Sequence, residues 1–384
     1  MEKELASSAV MIDISFVVPC LNEELSLGTV IKEIKESFAD KNYSYEIIVA
    51  DNGSVDRSRD IASESGARVV LVEKKGYGWA LREGFREARG KYIVMGDADG
   101  SYHFEDAIGM VELLNQDFDF VVGNRFTGTI EKGAMPILHK YVGNPILSRL
   151  GKFLFKIGIS DFHCGLRAFK TEKINQIRFR STGMEFASEI IVEAKKSNLR
   201  ITELPITLHK DLRNGPSHLN SFPDGWRHLK YLLALSPNYL FLVPGVFFLF
   251  SSFFFFFLNL WQSISFNHID FSFGSGILFL CFALVSLTSF WLFFIVKTIL
   301  NEHDNQLRKM KYMNPEIIFI LSFASIALGM AITFALFVMW KSTSFSDLNQ
   351  NQVISYMLTS LFLICTGVIS LSFNFLREII RLFR

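Results

Sequence analysis

Two aspartates one residue apart, placed directly after a short apolar run, are the residues whose types and spacing most directly suggest chemistry. Asp97 and Asp99 follow residues 92–95, with the small Ala98 between them and Gly100 after them. Mg²⁺ and Mn²⁺ take carboxylate oxygens as ligands, and such a cation can bridge to the phosphates of a nucleotide. Because acidic pairs are also common in surface turns, the pair indicates a metal site only together with the strand that precedes it.

Five apolar runs in the first part of the chain predict the strands that would position these carboxylates. They are residues 14–19, 46–50, 68–72, 92–95 and 118–123, with helical patterns between them. Alternating strands and helices predict a mostly parallel α/β sheet that is covered on both faces. Polar residues follow each strand, at the edge where open α/β sheets bind ligands. Together these loops predict a nucleotide-sized cleft.

The composition narrows the class of protein. The chain has 384 residues and a formal net charge of +1, so no overall positive field indicates nucleic-acid binding. Charged residues crowd into the first part of the chain, whereas Phe and Leu dominate beyond Tyr239. The four cysteines show no C-x-x-C spacing, which indicates neither a disulfide framework nor a zinc site.

Four apolar stretches predict a multi-pass membrane region. Residues 239–261, 273–297, 316–340 and 353–375 each exceed the roughly 18 to 20 residues that cross a bilayer. Basic residues lie in the loop between the second and third stretches and in the tail, and residues 1–13 resemble no secretory signal. The positive-inside rule therefore predicts cytosolic N- and C-termini, in a bacterial inner membrane or its equivalent.

Two segments between the α/β part and the membrane region have an amphipathic pattern. Residues 138–157 mix apolar side chains with Lys140, Arg149 and Lys152, which fits either a helix packed on the sheet or a helix lying on an anionic membrane. Residues 222–233 carry Trp226 and Tyr231 and run into the first apolar stretch, which favours an interfacial helix. The predicted organisation is an α/β domain over residues 1–221, an interfacial helix over 222–238, and a four-helix membrane domain over 239–384.

Several motifs, in this order, resemble the inverting family 2 glycosyltransferases with a GT-A fold. They are residues 18–23 (Val-Pro-Cys-Leu-Asn-Glu), 51–56 (Asp-Asn-Gly-Ser-Val-Asp), 76–78 (Gly-Tyr-Gly), 97–99 (Asp-Ala-Asp), 123–126 (Gly-Asn-Arg-Phe) and 161–169 (Asp-Phe-His-Cys-Gly-Leu-Arg-Ala-Phe). The similarity is strongest to the dolichyl-phosphate mannose and glucose synthases and their undecaprenyl-phosphate relatives. It implies a Rossmann-like sheet, a nucleotide-sugar donor and a polyprenyl-phosphate acceptor at the membrane, and it leaves open whether the chain is a homo-oligomer.

The resemblance also implies roles for individual residues. The residues expected to bind the nucleotide are Pro19, Glu23, Asp51, Gly76 and Asp97, and those expected to hold Mg²⁺ or Mn²⁺ are Asp97 and Asp99. The residues expected to bind the acceptor phosphate are Arg125, Lys140, Arg213 and Ser217, the last two in a mobile acceptor loop. Asp97, Asp99, Arg125 and Arg213 are the expected catalytic set. Glu185 either orients the acceptor loop or a sugar hydroxyl, or has a plain structural role.

The resemblance implies that a sugar is transferred from a nucleoside diphosphate to the phosphate of a lipid. The chemistry of this reaction matches these residue types. The phosphate monoester has a second pKa near 6 and is already largely ionised at pH 7, so it needs cations to position it and no strong general base. The leaving nucleoside diphosphate needs a metal to neutralise its charge. Two other functions are weighed against this one: a processive polysaccharide synthase, disfavoured by four spans and no Gln-x-x-Arg-Trp motif, and a non-catalytic membrane scaffold that binds nucleotide.

Overall fold

A computed structural model describes residues 12–213, 221–260, 265–266, 269–300, 314–342 and 350–382. The chain forms two compact units, Met1–Leu232 and Leu233–Arg384. The boundary falls within a helix, Ser221–Ala234, which covers most of the segment expected to be interfacial.

The first unit alternates strands and helices. Its strands are β1 (Ile14–Cys20), β2 (Tyr45–Asp51), β3 (Arg68–Leu71), β4 (Tyr92–Met95), β5 (Phe120–Ile130), β6 (Arg167–Lys170) and β7 (Ile201–Leu208). Its helices are α1 (Leu27–Phe38), α2 (Ser58–Glu64), α3 (Tyr77–Glu87), α4 (Asp106–Asn115), a π-helical turn (His139–Gly143), α5 (Asn144–Phe155), α6 (Thr171–Ile174), α7 (Phe186–Lys196) and α8 (Ser221–Ala234).

The strands form one mostly parallel sheet in the order β3-β2-β1-β4-β6-β5-β7. β1 pairs in parallel with β2 and β4, and β2 pairs in parallel with β3. β6 is antiparallel to both of its neighbours, β4 and β5. The prediction of a mostly parallel α/β sheet is therefore confirmed, and the five expected strands form, the fifth of them extending to Ile130.

The core lies on both faces of this sheet because the strands at its centre are apolar throughout. β1 and β4 are buried along their whole length. Leu27, Val30, Ile31 and Ile34 form the buried face of α1, at the spacing expected for an amphipathic helix. Aromatic rings fill the space under this helix, where Phe16 packs edge to face against Phe38 with ring centroids 4.9 Å apart.

The second unit consists mainly of long apolar helices. They are α9 (Val243–Leu260), preceded by a π-helical turn (Asn238–Leu242), then α10 (Phe271–Leu300), α11 (Pro315–Ser342) and α12 (Gln350–Leu382). Two short strands, Ser265–Phe266 and Ile269–Asp270, pair before α10. By length and composition, the described residues include four helices able to cross a membrane: Asn238–Leu258, Ser275–Leu300, Pro315–Ser342 and Val353–Arg377.

Small residues allow α11 and α12 to pack at close range. A Cβ atom on Gly329 would lie 2.9 Å from the carbonyl oxygen of Ser360, and one on Gly367 would lie 2.7 Å from that of Ser322. The Ser360 hydroxyl donates to the Gly329 carbonyl at 2.8 Å. Close backbone approach and hydroxyl hydrogen bonds stabilise helix pairs where no water is present to compete.

Candidate active site

The carboxyl ends of β1 and β2 carry polar loops that are hydrogen-bonded to one another. After β1, the Asn22 amide oxygen accepts from the backbone N–H of Val55 at 2.9 Å. At the end of β2, the buried Asp51 carboxylate accepts from the Arg59 guanidinium at 2.7 Å. Asn52 donates to the Lys74 carbonyl at 2.7 Å, which links the loop after β2 to the one after β3. The loops therefore form one connected rim, as expected for the ligand-binding edge of an open sheet.

Asp97 and Asp99 lie at this same edge, directly after β4. The Tyr77 hydroxyl donates to Asp97 Oδ1 at 3.2 Å, and the Ser101 hydroxyl donates to Asp99 Oδ1 at 2.6 Å. Burial and the charge of Asp99 raise the pKa of the Asp97 carboxyl to about 6, although Tyr77 and Arg213 oppose this shift. Two neighbouring carboxylates in a partly buried site disfavour each other's ionisation, so a bound cation would stabilise both.

Arg213 brings a guanidinium to the two aspartates from the other end of the domain. Its Nε donates to Glu23 Oε1 at 2.9 Å, and its Nη2 also pairs with Glu23 and lies 3.5 Å from Asp99 Oδ2. The segment between β7 and Arg213 lies along the loop after β4, since the Leu212 N–H donates to the Asp99 carbonyl at 2.9 Å. Glu23, Asp99 and Arg213, three residues expected in the site, are therefore in contact.

Gly76 occupies a position where no side chain fits. Its φ of +138° is one that L-residues rarely adopt, and a Cβ atom there would lie 2.1 Å from the Thr182 carbonyl oxygen. Its N–H donates to the Asn52 amide oxygen at 2.6 Å, and the N–H of Gly78 donates to Thr182 at 3.0 Å. The Gly-Tyr-Gly motif thus allows close backbone contact, which places Tyr77 against Asp97.

Arg125, at the end of the buried part of β5, forms an ion pair inside the domain. Its Nε and Nη2 donate to the two oxygens of Asp161 at 2.7 and 2.8 Å, and both residues are almost wholly buried. Its remaining Nη1 lies 3.5 Å from the Tyr102 hydroxyl. That hydroxyl accepts from the N–H of Gly165 at 2.9 Å, and a Cβ atom on Gly165 would lie 2.3 Å from Asp97 Oδ2. Arg125 is therefore linked to Asp97 indirectly, through the Tyr102 hydroxyl and Gly165 of the loop 161–165.

The other expected site residues are more dispersed. Pro19 is buried within β1 and pairs with Ala50. Lys140 lies on the π-helical turn, with its Nζ 5.7 Å from the centre of the Tyr141 ring. Glu185 precedes α7 and accepts from the N–H of Gly183 at 3.1 Å. Ser217 lies outside the described residues.

The donor set at Asp97 and Asp99 fits a divalent cation that binds together with a phosphorylated ligand. Among the described residues there is no group of three or more His, Cys, Asp or Glu side chains placed to hold a metal. Two carboxylates alone leave most positions around Mg²⁺ or Mn²⁺ to water and phosphate oxygens, which is how Mg²⁺ commonly binds in nucleotide sites. The residues present therefore fit a metal that is completed by its substrate.

Comparison with known proteins identifies the family. Residues 15–178 match Glycosyl transferase family 2, and residues 274–381 match the Glycosyltransferase family 2 C-terminal transmembrane region. The chain is 32% identical over 216 residues to the dolichyl-phosphate hexose transferase of Haloferax volcanii, covering 56% of this chain and 89% of that protein. The chain belongs to glycosyl transferase family 2. The first match lies within the first unit, which we call the glycosyltransferase domain, and the second match lies within the second unit.

This family 2 glycosyltransferase is also similar to a second protein of Haloferax volcanii and to a solved structure. The low-salt glycan biosynthesis hexosyltransferase Agl6 of Haloferax volcanii is 43% identical over 241 residues, which are 62% of this chain and 58% of Agl6. This chain thus spans little more than half the length of Agl6. A crystal structure of glucosyl-3-phosphoglycerate synthase from Mycobacterium tuberculosis, in complex with Mn²⁺, UDP and glucosyl-3-phosphoglycerate, has 24% identity and a TM-score of 0.46, over 58% of this chain and 78% of that one.

Several residues of the glycosyltransferase domain that contact the site were not among those expected. Tyr77, Tyr102 and Asp161 contact Asp97 or Arg125. Tyr77 and Asp161 lie within two of the motifs that carry the family resemblance, 76–78 and 161–169, so the sequence contains a signal for both. Tyr102 lies just after the aspartate loop, but only the fold shows its hydroxyl between Arg125 and Gly165.

Proposed function

We propose that this glycosyltransferase moves a single hexose from a nucleotide-diphosphate sugar to a polyprenyl phosphate, undecaprenyl or dolichyl, at the cytosolic face of a membrane. The donor would be UDP-glucose, UDP-N-acetylglucosamine or GDP-mannose, and transfer would proceed with inversion and with Mg²⁺ or Mn²⁺. The observation that carries this proposal is the meeting of Asp99 and Arg213, 3.5 Å apart, at the carboxyl end of the sheet. It puts a cation-binding carboxylate beside an anion-binding guanidinium.

The aspartates would serve the leaving group. When bound, the divalent cation would neutralise the charge that develops on the nucleoside diphosphate. Asp97 and Asp99 would hold it, with Tyr77 and Ser101 fixing the orientation of the two carboxylates through the hydrogen bonds described above. Such preorganised charges often supply the largest single term in catalysis, about 3 to 4 kcal/mol for one well-placed group.

The arginines would serve the acceptor. A phosphate monoester is already an anionic nucleophile at neutral pH, so the protein has to orient it toward the anomeric carbon and exclude water. Arg213 suits this task because its planar guanidinium can give two parallel hydrogen bonds to phosphate. To do so, it would exchange part of its contact with Glu23 for the ligand.

The surface of the glycosyltransferase domain supports a location at a bilayer. The π-helical turn and α5 expose Tyr141, Ile146 and Phe153, whereas their buried positions are the small Ser148 and Gly151. Lys140 and Lys152 directly precede Tyr141 and Phe153 in the chain. An exposed apolar face bordered by lysines is typical of a helix lying in the headgroup region of an anionic membrane. Of the two readings of this segment, we therefore favour the membrane-surface helix.

A donor screen tests the proposed function. The full chain, purified in detergent, is incubated with polyprenyl phosphate, Mn²⁺ and each nucleotide sugar in turn, and release of UDP or GDP is measured. We expect one donor to give release that depends on the lipid, and a product with one sugar per lipid that extracts into organic solvent. Asp99→Asn is the matched inactive control.

Two results would replace this proposal with one of its alternatives. A long water-soluble polymer as the product would identify a processive polysaccharide synthase. Binding of nucleotide without turnover of any donor, with both lipid and Mn²⁺ present, would favour the non-catalytic scaffold.

A further inference from the structure

Two histidines and a serine form a buried hydrogen-bonded group next to the candidate site. The Ser188 hydroxyl, on α7, lies 2.9 Å from His228 Nδ1 on α8 and 3.3 Å from His163 Nε2 in the loop 161–165. The two imidazole rings pack edge to face with centroids 4.5 Å apart. Ser188 is fully buried and His228 nearly so. These residues have no part in the function proposed so far.

One nitrogen of this group has no hydrogen-bond partner among the described residues. His163 Nδ1 is shielded from solvent and unpaired there. A buried polar atom without a partner costs free energy, so such atoms are uncommon and often mark a place where a ligand binds. Burial lowers the pKa of His163 well below its usual range and that of His228 to about 4, so both rings are neutral at pH 7.

The position of His163 in the chain points to the ligand. Two residues before it, Asp161 pairs with Arg125, and two residues after it, Gly165 lies against Asp97. Since two residues span at most about 7 Å, the backbone of His163 lies within that distance of a residue paired with Arg125 and of a residue next to Asp97. Arg125 is one of the residues expected to bind the acceptor phosphate, so His163 would lie close to that phosphate if the proposed function is correct.

A serine hydroxyl carries one proton and can donate to only one of the two rings. When Ser188 donates to His163 Nε2, His228 donates its Nδ1 proton to Ser188, and the neutral His163 ring carries its proton on Nδ1. We propose that Ser188 and His228 hold His163 in this tautomer, so that His163 Nδ1–H donates a hydrogen bond to an oxygen of the acceptor phosphate. This inference rests on the proposed function and adds His163 as a neutral acceptor-binding residue, with Ser188 and His228 as positioning residues.

Amide substitutions can separate the two nitrogens of each ring. His163→Gln places an amide where Nε2 was, which keeps the contact with Ser188 and removes Nδ1. His163→Asn places its amide where Nδ1 was. With farnesyl phosphate as acceptor and the full chain in detergent, we expect His163→Gln to raise the acceptor KM by about 10- to 100-fold and leave the donor KM unchanged. His163→Asn should stay within about threefold of the wild type.

The same two substitutions at His228 test which of its ring nitrogens matters. Because His228 contacts Ser188 through Nδ1, His228→Asn should keep an acceptor KM close to wild type, whereas His228→Gln should raise it. Thermal unfolding of each variant shows whether it is folded. If His163→Gln does not fold, Ser188→Ala gives the same test, and its acceptor KM should rise while its donor KM does not.

The outcomes distinguish this inference from the function on which it rests. An unchanged acceptor KM in folded His163→Gln, or equal changes in the donor and acceptor KM, would overturn the role of His163 while wild-type turnover still supports the proposed function. Absence of wild-type transfer to polyprenyl phosphate with every donor would overturn both.

Discussion

Replacing Asp161 by asparagine should strongly destabilise the glycosyltransferase domain, because it removes one member of a buried ion pair. Asp161 is fully buried, and its two oxygens accept from Nε and Nη2 of Arg125 at 2.7 and 2.8 Å. The carboxylate also accepts from the backbone N–H groups of Arg125 and His163, each at 3.2 Å. Although burial opposes ionisation, Arg125 holds the pKa of Asp161 below its usual range. Asp161→Asn keeps the shape of the side chain and leaves a buried guanidinium without its counter-charge.

The magnitude follows from the burial of both partners. Removing one member of a buried ion pair costs about 3 to 5 kcal/mol, because the other charge stays buried and uncompensated. For a domain of this size, each kcal/mol corresponds to about 2 to 4 °C, so we expect the unfolding temperature to fall by about 6 to 20 °C. The assay is thermal unfolding of the full chain in detergent, followed by tryptophan fluorescence.

The control is an aspartate of the same domain that is exposed to solvent. Asp117 pairs with Arg200 at 3.1 Å, but its side chain is 90% exposed, so Asp117→Asn should unfold at nearly the wild-type temperature. A double variant, Asp161→Asn with Arg125→Met, should be less destabilised than the sum of its single variants. Equal unfolding temperatures for Asp161→Asn and Asp117→Asn would refute the reasoning.

Three further outcomes are expected. Asp99→Asn should lower kcat by about 10²- to 10³-fold, and any residual turnover should no longer respond to EDTA, as measured by UDP or GDP release. Gly76→Ala should destabilise the domain by at least about 1 to 3 kcal/mol because its Cβ atom would overlap the Thr182 carbonyl, whereas Gly158→Ala, with open space around it, should unfold like the wild type. His228 has a pKa of about 4 in the folded protein and near 6.5 in the unfolded chain. Its contribution to stability should therefore be complete above pH 6.5 and be lost as the pH falls toward 4. Unfolding temperatures measured over a pH series should show this loss, and the loss should be smaller in His228→Asn.

The sequence predicted those parts of the fold in which one pattern dominates. β1 and β4 are buried on both faces, and continuous apolar runs such as theirs are typical of central strands in a parallel sheet. β6 was not predicted, because it has only four residues and two of them are basic. Arg167 is fully buried there, since its guanidinium donates to the carbonyls of Phe162, Cys164 and Ala187. A charge satisfied by backbone carbonyls leaves no signal in the sequence pattern.

In the candidate site, too, some features could be predicted from the sequence and others depend on the fold. Asp97 and Asp99 could be inferred because the strand and both carboxylates are adjacent in the chain. The contact of Glu23 with Arg213 could not be inferred, because it joins residues 190 positions apart and depends on how the segment after β7 crosses the sheet edge. The motif around Arg125 pointed to phosphate binding, whereas its pairing with Asp161 depends on the fold.

If the proposed function is correct, the charges at the sheet edge predict that the donor binds before the acceptor. Arg125 is paired with Asp161, whereas Arg213 contacts the carboxylates of Glu23 and Asp99. While these carboxylates hold Arg213, its guanidinium is poorly available to a lipid phosphate. A divalent cation arriving with the nucleotide would take over the neutralisation of Asp99 and weaken that hold. Donor and metal binding would thereby remove one of the two carboxylates that attract Arg213, which would favour acceptor binding after the donor.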